Sequence, residues 1–212
     1  LLLLGRPSAK EGGLWTGQDG IAWLGTLGKN LDDFTPVLSD SAGVASTHLW
    51  KCGALGIGAV RFLADGSFLV VPGFQPGATL FDAAGHPVRS WSGPETGLDT
   101  DCGSEEADLL ADPSALLDWY NRHRVLEDVL PLAEGPALLI RFLGQDQKVH
   151  WELQVLGAQS SRILEVPVSS SGPTAHLRGD VRNGRIVFLL SQYFPLMDSS
   201  KAGEILVAEL VP

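Results

Sequence analysis

The chain has 212 residues, and its 25 acidic against 15 basic side chains give a formal net charge of −10. Binding to a phosphate backbone needs clustered Lys and Arg, and the basic residues form no stripe, so nucleic acid is excluded as a partner. Hydrophobic residues make up 44% and charged residues 19%, the balance of a folded chain, and no apolar run is long enough to form a transmembrane segment.

Leu1–Leu4 is an apolar run that reads either as a strand or as the stub of a signal region, with Pro7-Ser8-Ala9 near a cleavage point. The signal reading predicts an exported protein, periplasmic or extracellular. The first turn signal, Asp19-Gly20, precedes the apolar run Ile21–Leu24. A disulfide between Cys52 and Cys102 would suit export; the alternative is two independent thiols.

Residues 58–91 form the clearest unit. Strands are predicted at Ala59–Leu63, Ser67–Val71, Thr79–Asp82 and Val88–Trp91, divided by Asp65-Gly66, a Pro/Gly loop and Ala84-Gly85. The turn signal returns at Glu134-Gly135 and Asn183-Gly184, each before an apolar run, at intervals of about 45 residues with one longer gap; that is the spacing of four-stranded propeller blades. Phe68–Val71 and Ile186–Leu190 are apolar at successive positions, which predicts burial on both faces. Val149–Val155 alternates apolar and polar residues, which predicts one packed face and one wetter one. The predicted fold is an all-β propeller in a single domain, with blades at about 10–56, 57–98, 125–169 and 174–212. A β-sandwich is the alternative. Glu204–Val211 reads as a third strand with no fourth after it, so either Leu1–Leu4 pairs there and closes a ring of four, or the chain is part of a larger propeller; the second is favoured.

The longer gap holds a predicted helical insertion at about 105–128. Asp112-Pro113 supplies a cap and a first helical residue, and Leu116, Leu117, Tyr120 and Arg124 follow at helical spacing. The acidic residues before it, Asp99, Asp101, Glu105, Glu106 and Asp108, are candidate calcium ligands, but they lack the alternating order of a calcium loop. A solvated acidic loop is the preferred reading, and no cofactor is predicted.

No nucleophile elbow, zinc-protease motif, paired-cysteine motif or phosphate loop is present, and the histidines are scattered singly. In a four-strand blade the blade-to-blade and second-to-third connections share one end, which here collects Gly25–Asp33, Gly73–Gly77, Ser92–Asp128, Ser169–Thr174 and Phe194–Gly203. That long-loop end is where a ligand is expected, with Phe74, Gln75, Tyr193 and Phe194 as contact residues beside Asp99 and Asp101.

The stretch Leu63–Val71, followed by Thr79–Gly85 and closing at Trp91, resembles a repeat of the six-bladed NHL-type bacterial propellers. The resemblance implies a non-catalytic platform for a protein or small ligand, often exported. The alternative is a metal-dependent propeller hydrolase of the gluconolactonase type, which needs carboxylates or amides facing the axis from the inner strands. Asp180 is one candidate; Ala59–Leu63 and Asp128–Leu132 offer little else.

Overall fold

A computed structural model describes Leu2–Leu4, Gly20–Leu24, Thr35–Ser39, 58–73, 77–93, 113–157, 160–172, 174–192 and Glu204–Glu209. Among these residues the protein is all-β, with four antiparallel sheets and one helix. Sheet A holds β1 (Leu2–Leu4), β2 (Gly20–Leu24) and β3 (Thr35–Ser39). Sheet B holds β4 (Ala59–Phe62), β5 (Phe68–Val71), β6 (Gly77–Phe81) and β7 (Pro87–Ser92). Helix α1 (Pro113–Arg122) leads into sheet C, made of β8 (Val125–Leu132), β9 (Gly135–Leu143), β10 (Val149–Leu156) and β11 (Ser161–Ser170). Sheet D holds β12 (Ala175–Arg182), β13 (Arg185–Gln192) and β14 (Glu204–Glu209). In every sheet each strand pairs with the next in sequence. β1 pairs with β2, Leu2 opposite Leu24, while β14 pairs with β13, so Leu1–Leu4 does not complete the sheet of Glu204–Val211.

Turn chemistry explains the hairpins. Residues 63–67, 82–86 and 144–148 fold alike: the first N–H donates to the fifth carbonyl, and the fourth N–H donates back to the first. The fourth residue is left-handed in each, with φ of +86° at Gly66, +90° at Gly85 and 61° at Gln147. An aspartate side chain ties each loop: Asp65 accepts from Ser67 N at 3.0 Å, Asp82 from Ala84 N at 2.9 Å and Asp146 from Lys148 N at 3.1 Å. Asn183-Gly184 closes β12 to β13 as a two-residue turn with positive φ at both positions, 53° and 75°. The 144–148 turn lies between the second and third strands of its sheet, so a tight turn also occurs where the sequence predicts only long loops.

Alternation along the strands sorts the core. In β9, Ala137 and Leu139 join the cluster shared with sheet D, while Leu138 and Ile140 join the cluster shared with sheet B. β9 at the centre of sheet C is therefore buried on both faces. In sheet B the same holds for β5: Leu69 and Val71 face sheet C, and Phe68 and Val70 on the other face, with Phe81 of β6, are 0–1% exposed. Sheet D departs from the expectation drawn from Ile186–Leu190. Ile186 and Phe188 pack into the core, but Val187 is only half-buried and Leu189 is 47% exposed, so among the described residues that face of β13 is buried less than the core face. The predicted wetter face of Val149–Val155 is also corrected. Glu152 and Gln154 are 8% and 0% exposed, since sheet C is covered on both sides.

The helix is shorter than the insertion predicted for 105–128. It stops at Arg122, and Val125–Asp128 belong to β8. Trp119 is fully buried and stacks on His123 at 4.1 Å, and the His123 Nδ1–H donates to the Trp119 carbonyl at 2.8 Å. That bond satisfies a carbonyl freed at the helix end.

Candidate functional site

Charged side chains concentrate where the first strands of sheets B, C and D meet. β8 carries a bulge there: Leu126 pairs with Ile140 and Asp128 with Leu139, leaving Glu127 out of the register. Neighbouring residues of a regular strand point to opposite faces; the extra residue lets Glu127 and Asp128 both reach β12. The Glu127 side chain is 2% exposed and accepts from Leu177 N at 2.8 Å, Trp151 Nε1 at 2.7 Å and His176 Nδ1 at 2.9 Å. The fully buried Arg141 brings Nε to 3.9 Å from the same carboxylate and donates to Asn121 Oδ1 at 2.6 Å. Asp128 accepts from Gly179 N at 3.1 Å and from Arg61 Nη2 at 2.8 Å.

This arrangement closes two strand edges without joining them into one sheet. On β12 the outward N–H groups of Leu177 and Gly179 end on carboxylates. The outward carbonyls of Ala175 and Gly179 accept from Arg141 at 3.4 Å and from Arg61 at 2.6 Å. On β8 the carbonyls of Glu127 and Val129 accept from Arg178 and Arg61. Buried backbone groups must be paired, and an open edge is a template for foreign strands. Side chains here stand in for the missing neighbour. The partners ascend together along β8 and β12, so the two strands run parallel. The approach is close: a Cβ at Gly179 would lie 2.8 Å from Leu130 Cδ2 and would push that buried side chain aside.

Asp180 lies 51% exposed at the edge of this network. It accepts from Arg182 Nε at 3.0 Å and sits 3.9 Å from Arg61 Nη1, and the bound Arg182 guanidinium holds its carboxyl below the usual aspartate range. The first strands are thus richer than they read in the sequence: Arg61 and Asp128 flank Asp180, and they neutralise one another. Among the described residues no group of three or more His, Cys, Asp or Glu side chains is placed to hold a metal ion.

A second polar strip crosses sheet C near its 144–148 turn. Arg124 lies 4.5 Å above the Phe142 ring, His150 stacks on that ring at 5.8 Å, and Asp146 accepts from His150 Nε2 at 2.8 Å. That bond holds the Asp146 carboxyl below its usual range. Arg124 also pairs with Glu152. His150 is 25% exposed and Asp146 47%, so the strip is open to a ligand on one side.

Phe74, Gln75, Asp99, Asp101, Tyr193 and Phe194 lie outside the described residues, as do Cys52 and Cys102. The sequence reading missed Arg61, Glu127, Asp128 and Arg141. Their signal is the occurrence of charged residues inside apolar strands, where an unpaired charge is costly. Compared with protein-family models, with curated proteins and with solved structures, the chain matches none.

Proposed function

We propose that the four sheets are successive blades of a β-propeller and that the protein is a non-catalytic platform, binding a protein or small ligand at its long-loop end. The packing of the first strands supports the arrangement. β1 lies against β4, β4 against β8 and β8 against β12, each the first strand of its sheet. The observation that carries the binding reading is the pairing of charges along those strands. Arg61 holds Asp128, Val129 O and Gly179 O, and approaches Asp180, so the carboxylates around the axis are engaged by cations and strand-edge amides. Rigid inner strands leave recognition to the connections they display.

The gluconolactonase-type alternative needs carboxylates converging on a cation, and Asp128 and Asp180 converge on Arg61 instead. Thermal melting against panels of sugars, nucleotides and peptides, run beside a lactone-hydrolysis assay with calcium, magnesium or zinc, tests the proposal. A ligand that raises Tm without being turned over supports it. Metal-dependent lactone hydrolysis that Asp180→Asn abolishes would overturn it.

A further inference from the structure

The ion pairs along the first strands of sheets B, C and D leave one guanidinium over. Asp128 pairs with Arg61 at 2.8 Å, Asp180 with Arg182 at 3.0 Å, and Glu127 lies 3.9 Å from the buried Arg141. Arg178 of β12 has no carboxylate partner among the described residues, although a chain of net charge −10 offers carboxylates in excess. Its Nη1 donates to the Glu127 carbonyl, which holds the side chain across the gap between β12 and β8. A guanidinium carries five N–H donors in a planar fork, so a bond to one carbonyl leaves an edge that matches the two oxygens of a carboxylate or phosphate.

His176 borders the same place. It stands two residues before Arg178, so both side chains project from one face of β12, and both reach Glu127, one at its carboxylate and the other at its carbonyl. A carboxylate only accepts, so the His176 Nδ1 is the donor and the ring turns its Nε2 edge away from Glu127. The Glu127 side chain is 2% exposed and accepts from Trp151 Nε1 and Leu177 N as well. His176 is 39% exposed and Arg178 is exposed, so the guanidinium and the imidazole, not the carboxylate, meet solvent here. Glu127 lies near the start of β8 and His176 near the start of β12, where the 92–128 and 169–174 connections enter the strands.

We propose that Arg178, with His176 beside it, is the docking point for an anionic group, a carboxylate or phosphate, on the ligand bound at the long-loop end. The inference rests on the platform reading above and adds the ligand's charge to it. Arg178 takes two oxygens of the group in its outward fork, and the imidazole closes one side of the place.

Titration of the nitrogen-15-labelled chain with inorganic phosphate, and separately with succinate, tests this through the NMR signals of the arginine side chains. The expected result is saturable binding that shifts the Arg178 Nε–H signal. Arg178→Gln removes a charge-assisted donor and weakens binding by about tenfold or more. Arg178→Lys keeps the charge without the fork and falls between. Arg182→Gln removes an equal charge at the other end of β12, where the side chain is 80% exposed, and changes binding by about twofold or less. Circular dichroism checks that the variants fold. Tighter binding of phosphate assigns the group as a phosphate, and tighter binding of succinate as a carboxylate. Failure of both probes to saturate, Arg178→Gln binding as tightly as wild type, or Arg182→Gln losing as much as Arg178→Gln overturns the proposal. The platform reading fails separately: a ligand that is turned over but still needs Arg178 overturns the platform and keeps the contact, whereas one bound without turnover and equally well by Arg178→Gln overturns the contact alone.

Discussion

Sheets C and D are built from similar strands and end in different surroundings. β9 and β13 are both long, apolar and central in their sheets, yet β9 is buried on both faces and β13 on one. Binary pattern sets what a strand is able to bury; the number of neighbours sets what it does bury. Between the two sheets lies a shared apolar cluster, and along their first strands runs the Glu127 and Asp128 network. Sheet D is thus held by one face and one edge, and sheet C by both faces.

The comparison breaks most severely at Glu127. Glu127→Gln leaves the fully buried Arg141 without its carboxylate and weakens the hold on Leu177 N, and it should cost about 3–5 kcal/mol in urea unfolding. A loss under about 1 kcal/mol would show that the network contributes little to joining the sheets. The next effect contrasts one leucine with another. Leu139→Ala in sheet C should cost about 2–5 kcal/mol at any protein concentration. Leu189→Ala in sheet D should cost about 0.5 kcal/mol or less in dilute protein. Equal costs in dilute solution would erase the distinction between the faces.

Gln154 sharpens it from the other side. Its amide is fully buried in sheet C, and neither the Nε2 nor the Oε1 has a hydrogen-bond partner among the described residues. Gln154→Met should raise stability by about 1–3 kcal/mol, read from the urea midpoint at unchanged slope. The smallest effect is the acid response of Asp146 in sheet C and Asp180 in sheet D, both held below the ordinary aspartate value of 3.8. A depressed carboxylate adds stability above its unfolded value and loses it as pH falls through the folded one. Wild-type stability should therefore fall as pH drops below about 4, and Asp146→Asn and Asp180→Asn should each flatten that fall slightly.

Much of sheet B was legible in the sequence. Asp65-Gly66 and Ala84-Gly85 place its hairpins, and the observed strands lie within about two residues of those expected. The reason is local: a left-handed glycine and an aspartate that binds its own loop act within a few residues. The start of sheet C was misread for the complementary reason. Residues 125–128 follow directly on the helical spacing of Leu116, Leu117, Tyr120 and Arg124, and distant partners hold them as a strand: Trp151, His176 and Leu177 around Glu127, with Arg61 and Gly179 on Asp128. No window of neighbouring residues contains those partners.

By itself the sequence determined the all-β class and the tight hairpins, because turn residues and alternation are properties of the chain read locally. Tertiary structure decided which apolar faces are covered, where α1 gives way to β8, and that the charges of the first strands are paired with each other. Those outcomes depend on which strands become neighbours across 50 residues or more, as Leu177 to Glu127 and Arg61 to Gly179 do. A side chain's sequence gives its chemistry, and only the packing of distant strands decides whether that chemistry meets water, a partner charge or an open edge.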